Sequence, residues 1–349
     1  MNLKHILSTR AMALALTLFV GLPAASIANA ETFKEPDILT IVWLPNDSSD
    51  VQAGMRDEIA KVISEATGKK VENKLTTDYT IALAALENGQ AQIGWTGAFE
   101  YLSTHARHPE LIPLVVNSGP SGTLKDSLYY SRFLVKKGQE NQYKSGGDYS
   151  IDNLDGKRIS FVSPSSTSGF NMPAAAILGK FGKEAKWKDL TKEDLTQGGS
   201  GKFFSQVMFA GSHQLSLVNV LTGRSDVSAV CDFLVNDYVT LESGTDNTEG
   251  AVYKVKQGTD APFTALGGKE FVIIKSIPVL NPPVEVNSKF LSKKTMDEIA
   301  NVLSSDEVAN NPNIFTPVGG KVSEFHQPAR FLKVTDAWYD PMRKVLGFN

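Results

Sequence analysis

Twice along this chain, short apolar runs alternate with helical patterns, and no other feature restricts its fold so sharply. Strand-like runs at 39–44, 70–76, 91–95, 111–116 and 128–136 are interleaved with helical patterns at 51–68, 79–88 and 98–105. A polar stretch at 137–155, rich in Gly, Ser, Asn and Gln, reads as a linker or surface excursion. A second alternation follows, with strands at 158–162, 206–209, 227–231, 253–255 and 271–275 and helices at 170–181 and 214–221. Pro278, Pro282 and Pro283 mark a return crossing, after which 293–304 and 329–346 look like closing helices. Interleaved strands and helices favour a parallel sheet flanked by helices. The expected architecture is therefore α/β with two lobes, each a mainly parallel sheet flanked by helices, and a ligand cleft between them. Lobe 1 takes 31–136 plus 277–349, and lobe 2 takes 137–276.

The first thirty residues stand outside that pattern. Lys4 and Arg10 precede an uncharged apolar run at 11–22, and Ala28-Asn29-Ala30 ends the segment before Glu31. A basic start, a short apolar run and an A-x-A end describe a cleavable signal peptide. The apolar run is too short for a membrane span, which needs about 20 residues. The expectation is cleavage after Ala30 and a mature protein in the periplasm with no further span. Cys231 is the single cysteine of the 349 residues, so no internal disulfide framework exists. A formal net charge of −3 argues against a nucleic-acid partner. It does not argue against a small anion, because local fields decide that.

Three strand-to-helix junctions carry the chemistry. In the first, Phe161 leads into Ser165-Ser166-Thr167-Ser168-Gly169, and a helix follows at once. The N–H groups of a helix's first turn point at such a loop with partial positive charge. Adjacent hydroxyls add donors, and Gly169 lets backbone come close, which suits a tetrahedral oxyanion. Plain N-capping accounts for the same residues. The second junction is Gly211-Ser212-His213, with His213 in the first helical turn, and the third is Trp95-Thr96-Gly97-Ala98. Three helix starts at one cleft supply roughly +0.5 charge each. They match an anion without a buried Lys or Arg, and no basic residue lies within these motifs.

These segments resemble the phosphonate-, phosphite- and phosphate-binding proteins of ABC importers. The likeness runs through Ser150–Phe161 (SIDNLDGKRISF) and the Ser-Ser-Thr-Ser-Gly turn to Gly211-Ser212-His213 and LTGRSDVSAV at 221–230. It includes Asp78-Tyr79, LENG at 86–89 and IGWTG at 93–97, and covers nearly the whole chain after the leader. The resemblance implies a type II periplasmic binding fold that closes two lobes around a small phosphorus oxyanion. It implies delivery to a membrane permease and its ATPase, no cofactor, no metal site, no catalysis and a monomer. It places Ser166, Thr167 and Ser168 on the phosphoryl oxygens, with His213 donating a further hydrogen bond. Tyr79 and Tyr129 would line the cleft, and Thr96 and Gly97 would be further contacts.

This chain also departs from relatives that take aminoalkyl phosphonates. Where those need acidic groups for the ammonium, it has Leu234 and Asn281-Pro282-Pro283. A compact anion such as phosphite, phosphate or methylphosphonate is expected instead. Asp232 lies close to the expected site and either accepts a hydrogen bond from a protonated ligand oxygen or belongs to the surface or hinge. Cys231 reads first as a small buried residue. Its sharper alternative is a soft ligand for arsenite, in a periplasmic oxyanion sensor acting with a signalling receptor. No G-x-S-x-G, P-loop or dinucleotide fingerprint occurs. His105 and His108 are read as surface residues.

Overall fold

Apolar runs that are buried end to end make the centres of two sheets. The computed structural model describes residues 34–45, 50–317 and 325–348. The expected leader and its cleavage site lie outside these. Glu35–Asn349 forms one unit. Its six-stranded sheet runs in the order Phe331–Lys333, Leu111–Asn117, Pro283–Asn287, Ile93–Trp95, Ile38–Trp43, Lys70–Leu75. Its seven-stranded sheet runs Val239–Ser243, Val252–Val255, Glu270–Leu280, Leu128–Lys136, Val227–Cys231, Arg158–Phe161, Gln206–Phe209.

Both sheets are mixed rather than mainly parallel. Ile38–Trp43 is parallel to its two neighbours, and Arg158–Phe161 to its two. The remaining neighbours within the two sheets are antiparallel. The cause is the way the chain crosses between lobes. Leu128–Lys136 and Glu270–Leu280 pair antiparallel from Phe271 opposite Lys136 to Leu280 opposite Leu128. After Leu280 the chain passes almost directly into Pro283–Asn287, which inserts between Ile93–Trp95 and Leu111–Asn117. No helical crossover intervenes to restore a parallel direction.

Two further expectations change. The pattern at 329–346 is not one helix. Phe331–Lys333 pairs with Leu111–Asn117 as an edge strand, and only Asp340–Leu346 is α-helical. The aromatic and apolar pair Phe331-Leu332 serves a half-buried edge better than a helix here, and Pro341 sits at the helix start, where its missing N–H costs nothing. The polar stretch carries a short turn, Glu140–Tyr143, and a small hairpin between Lys144–Ser145 and Asp148–Tyr149.

One apolar core lies on the six-stranded sheet, where Trp43 and Trp95 stack at 5.2 Å with Phe325 and Phe331 beside Trp95. The seven-stranded sheet is covered on both faces. Between the sheets, Ala98, Tyr101 and Leu102 pack with Met172, Cys231 and Leu234, so the lobes meet along an apolar seam beside the cleft.

Candidate functional site

The hydroxyl turn forms as its composition requires. Ser166 is extended, and its Oγ accepts from Gly169 N–H at 3.1 Å. Asn171 N–H reaches back five residues to Ser166 O at 3.0 Å, so Thr167–Asn171 is one π-helical turn ahead of the α-helix Met172–Phe181. Such turns are frequent at functional sites. The Asn171 side chain donates to Pro164 O and Ser166 O at 3.0 Å, which fixes the loop from behind. A methyl group at Gly169 would collide with Val162, so only glycine allows this approach.

The other junctions are built alike. Ser212 caps His213–Leu221 through Leu215 N–H at 3.2 Å, and Asp78 caps Tyr79–Glu87 through Thr80 N–H at 2.7 Å. Gly97 is the N-cap of Ala98–His105. Four helix starts therefore face one cavity of about 50 Å³. It is lined by Tyr79, Thr96, Gly97, Tyr129, Ser166, Thr167, Ser168 and His213, with apolar walls from Leu44, Trp95, Phe233 and Pro282. Among the described residues no Lys or Arg lines it.

The ninth anticipated residue, Asp232, stands apart from that lining. Its carboxylate is buried and accepts from Phe233 N–H at 2.9 Å, Tyr130 N–H at 3.1 Å and the Asn247 side chain at 3.2 Å. Burial raises its pKa, against the nearby charge of Arg132. Its oxygens secure the crossing strand and the turn after Cys231.

His213 and Tyr129 on the lining each have a defined state. His213 Nδ1 accepts from Cys231 N–H at 2.9 Å, so the ring proton sits on Nε2. Burial pushes this imidazole down to about 3, so it is neutral at physiological pH. Burial likewise holds Tyr129 protonated, although a hydrogen bond with Ser168 opposes the shift. Ser131 donates to Ser168 O at 2.7 Å and fastens the turn to the crossing strand.

Two acidic residues were not legible in the sequence. Glu100, in the first turn of Ala98–His105, lines the cavity and is buried. Thr167 Oγ1 donates to its carboxyl and accepts from Phe99 N–H at 2.7 Å, so one hydroxyl joins the two lobes. A methyl group at Gly97 would strike both the Glu100 carboxyl and Thr167 Oγ1. Glu285 lies behind Thr96, whose hydroxyl donates to it. Burial raises Glu100 to about 7, against hydrogen bonds from Thr167. Burial and the neighbouring Glu100 raise Glu285 to about 8. Glu100 occupies the helix position where an acid ordinarily caps or faces the dipole at the surface, so local pattern conceals its burial. Trp95 was missed as well. Its indole lines the cavity, and its Nε1–H is buried with no hydrogen-bond partner among the described residues.

Cys231 is fully buried in the apolar seam. Among the described residues no group of three or more His, Cys, Asp or Glu side chains gathers to hold a metal ion. The arsenite-sensor alternative has no such cluster among the described residues to support it.

Two mixed α/β sheets crossed by paired strands, with helix starts facing a cleft, define a type II periplasmic binding protein. The sequence profile of the family described as "ABC transporter, phosphonate, periplasmic substrate-binding protein" matches residues 41–339, and the chain belongs to that family. It is a non-catalytic, periplasmic solute-binding protein for a phosphorus oxyanion in an ABC import system. A phosphate-import protein PhnD of Mycolicibacterium smegmatis is 26% identical over 249 residues, 69% of each chain. Among solved structures, PhnD1 of Prochlorococcus marinus in complex with methylphosphonate superposes with a TM-score of 0.62 at 17% identity, over 90% of this chain and 100% of that one. A binding protein component of an ABC phosphonate transporter from Pseudomonas aeruginosa gives 0.61 at 14% identity, over 89% and 86%.

Proposed function

We propose that this protein captures a compact phosphorus oxyanion, phosphite, phosphate or a short alkylphosphonate, and hands it as a monomer to a permease and its ATPase. The observation that carries this reading is the cavity of about 50 Å³ ringed by four helix starts and neutral donors. Helix ends of roughly +0.5 charge each sum to about the charge of a phosphoryl dianion. The volume favours a ligand of a few heavy atoms. Ser166 holds the anion through its hydroxyl, Ser168 through hydroxyl and backbone N–H, and His213 through Nε2–H, with Thr167 between the two serines on the same turn. Thr96, Gly97, Tyr79 and Tyr129 complete the contact, and Trp95 Nε1–H, without a partner among the described residues, is a further donor in reach of the same cavity. The mycobacterial relative's description as a phosphate importer and the methylphosphonate in the Prochlorococcus structure agree with this ligand class. The lobes divide near the paired crossing strands, 31–136 plus 277–349 against 137–276, and hinge closure there traps the ligand. Residues 1–30 direct export and are removed after Ala30, which the mass of the exported protein checks.

A thermal-shift screen tests the ligand. Phosphite, phosphate, methylphosphonate, 2-aminoethylphosphonate, sulfate and arsenite are added to the purified protein at neutral pH. Binding to the folded state alone adds about 4 kcal/mol at a thousandfold excess over Kd. A large shift with a phosphorus anion and little with sulfate is expected. A shift with arsenite alone, or with none of them, rejects the proposal.

A further inference from the structure

We propose that Glu100 fixes the charge of the bound ligand: its carboxyl and one phosphoryl oxygen share a single proton, so that capture above neutral pH takes up a proton. This rests on the ligand class proposed above and adds to it a specificity-determining residue.

The argument is one of donors and acceptors. Glu100 lines a cavity of about 50 Å³ and is buried, so an oxyanion held there meets its carboxyl. Two bare oxygen anions in contact repel, and burial removes the water that would screen them. A proton between them turns the contact into a charge-assisted hydrogen bond. The hydroxyl bonded to Glu100 does not supply that proton. The Thr167 hydroxyl has one hydrogen, and it is given to Glu100 itself. It must therefore come from the carboxyl or from the ligand.

No cation among the described residues relieves the requirement either. The elements packed against the Glu100 helix offer Glu285, Tyr79, Glu87, Asp340, Arg343 and Lys344. Glu285 is a second acid, and its Oε2 is buried without a partner among the described residues. Arg343 pairs with Asp336 and Asp340, and Arg107 on the loop beyond pairs with Glu87. Across the cleft, Tyr129 is protonated and His213 neutral. Lys192 lies over the Phe99 ring, donates to Asn171 at 3.3 Å and does not line the cavity. Burial holds the Glu100 proton to about 7, where it is within reach of physiological pH. Phosphorus oxyanions with two ionisable oxygens also titrate near there.

The test is calorimetric titration of the purified protein with methylphosphonate and with inorganic phosphate, from about pH 6 to about pH 8.5. Buffers of different ionisation enthalpy count the protons exchanged. Wild type should take up close to one proton at the alkaline end, and its affinity should fall by about tenfold per pH unit there. Glu100→Gln presents an amide N–H that needs no proton. Its uptake should fall near zero, and its affinity at about pH 8.5 should exceed wild type by about tenfold. Wild-type binding without proton uptake overturns the inference even if the variant does not fold. So does a Glu100→Gln protein that keeps the wild-type uptake. Preference for 2-aminoethylphosphonate over methylphosphonate, lost in Glu100→Gln, also overturns it and makes Glu100 an ammonium acceptor. Absence of binding by every phosphorus anion rejects the proposed function and this inference with it, an outcome the thermal screen separates beforehand.

Discussion

Glu100, Glu285 and His213 are pushed toward their neutral forms by the same low-dielectric surroundings, and they shift the pH dependence of stability in opposite senses. The two carboxyls are raised from 4.5 to about 7 and about 8. Between the unfolded and folded values the native state binds more protons. Their contribution is complete below about pH 4.5 and is lost as pH rises through about 7 to 8. His213 is lowered from 6.5 to about 3, so the unfolded state binds more protons in that interval, and stability declines as pH falls from about 6.5 toward 3. Melting temperatures measured across pH before ligand is added should decline on both flanks. Glu100→Gln should lessen the alkaline decline and leave the acid one in place. At the anion turn, Ser166→Ala should weaken methylphosphonate binding by about 1–3 kcal/mol, the cost of a charge-assisted bond. Cys231→Ser keeps a small side chain in the seam and should leave that affinity nearly unchanged, which titration of both variants checks.

At the scale of elements, the site is made by caps. A helix start binds an anion only while its first turn is rigid, and Ser212 supplies that rigidity to the helix that begins with His213. Ser212→Ala should cost about 1 kcal/mol of stability through the lost cap. It should also weaken methylphosphonate binding, because His213 leaves its register against Cys231 N–H. A lower melting temperature with unchanged affinity would show that His213 is not a ligand contact. Gly97 acts differently, since its φ is ordinary for any residue and the demand is for space. Gly97→Ala pushes a methyl group between the Glu100 carboxyl and Thr167 Oγ1 and should reduce affinity more than stability. Equal loss of both would place the defect in the helix rather than in the meeting of the lobes.

The whole molecule couples these elements through two crossing strands and one seam. Phe99 N–H and Glu100 from one lobe share Thr167 Oγ1 of the other, and Asp340–Leu346 packs against both Ala98–His105 and Met172–Phe181. Opening must break these contacts and bend Leu128–Lys136 against Glu270–Leu280. Small-angle scattering should therefore show the radius of gyration contract when methylphosphonate is added. An unchanged radius on saturation would mean that ligand enters without hinge closure.

The sequence alone carried whatever is local. Strand and helix periods follow from residues a few positions apart, and the hydroxyls of Ser166 and Ser212 lie within one turn of the helices they start, so the α/β class and the hydroxyl-rich helix start were legible. The mixed sheets were not, because strand direction was decided by a chain that re-enters the first sheet at Pro283 after a long excursion. Glu100, Glu285 and Trp95 were not, because a surface acid and a buried one look alike until distant segments close over them. Asp232 shows the converse: its position beside Cys231 suggested a ligand contact, but tertiary structure turned its oxygens to the backbone of Tyr130 and to Asn247. Local chemistry determined which groups could bind an anion. Burial, a property of the assembled fold alone, decided which of them line the cavity and in what state of charge.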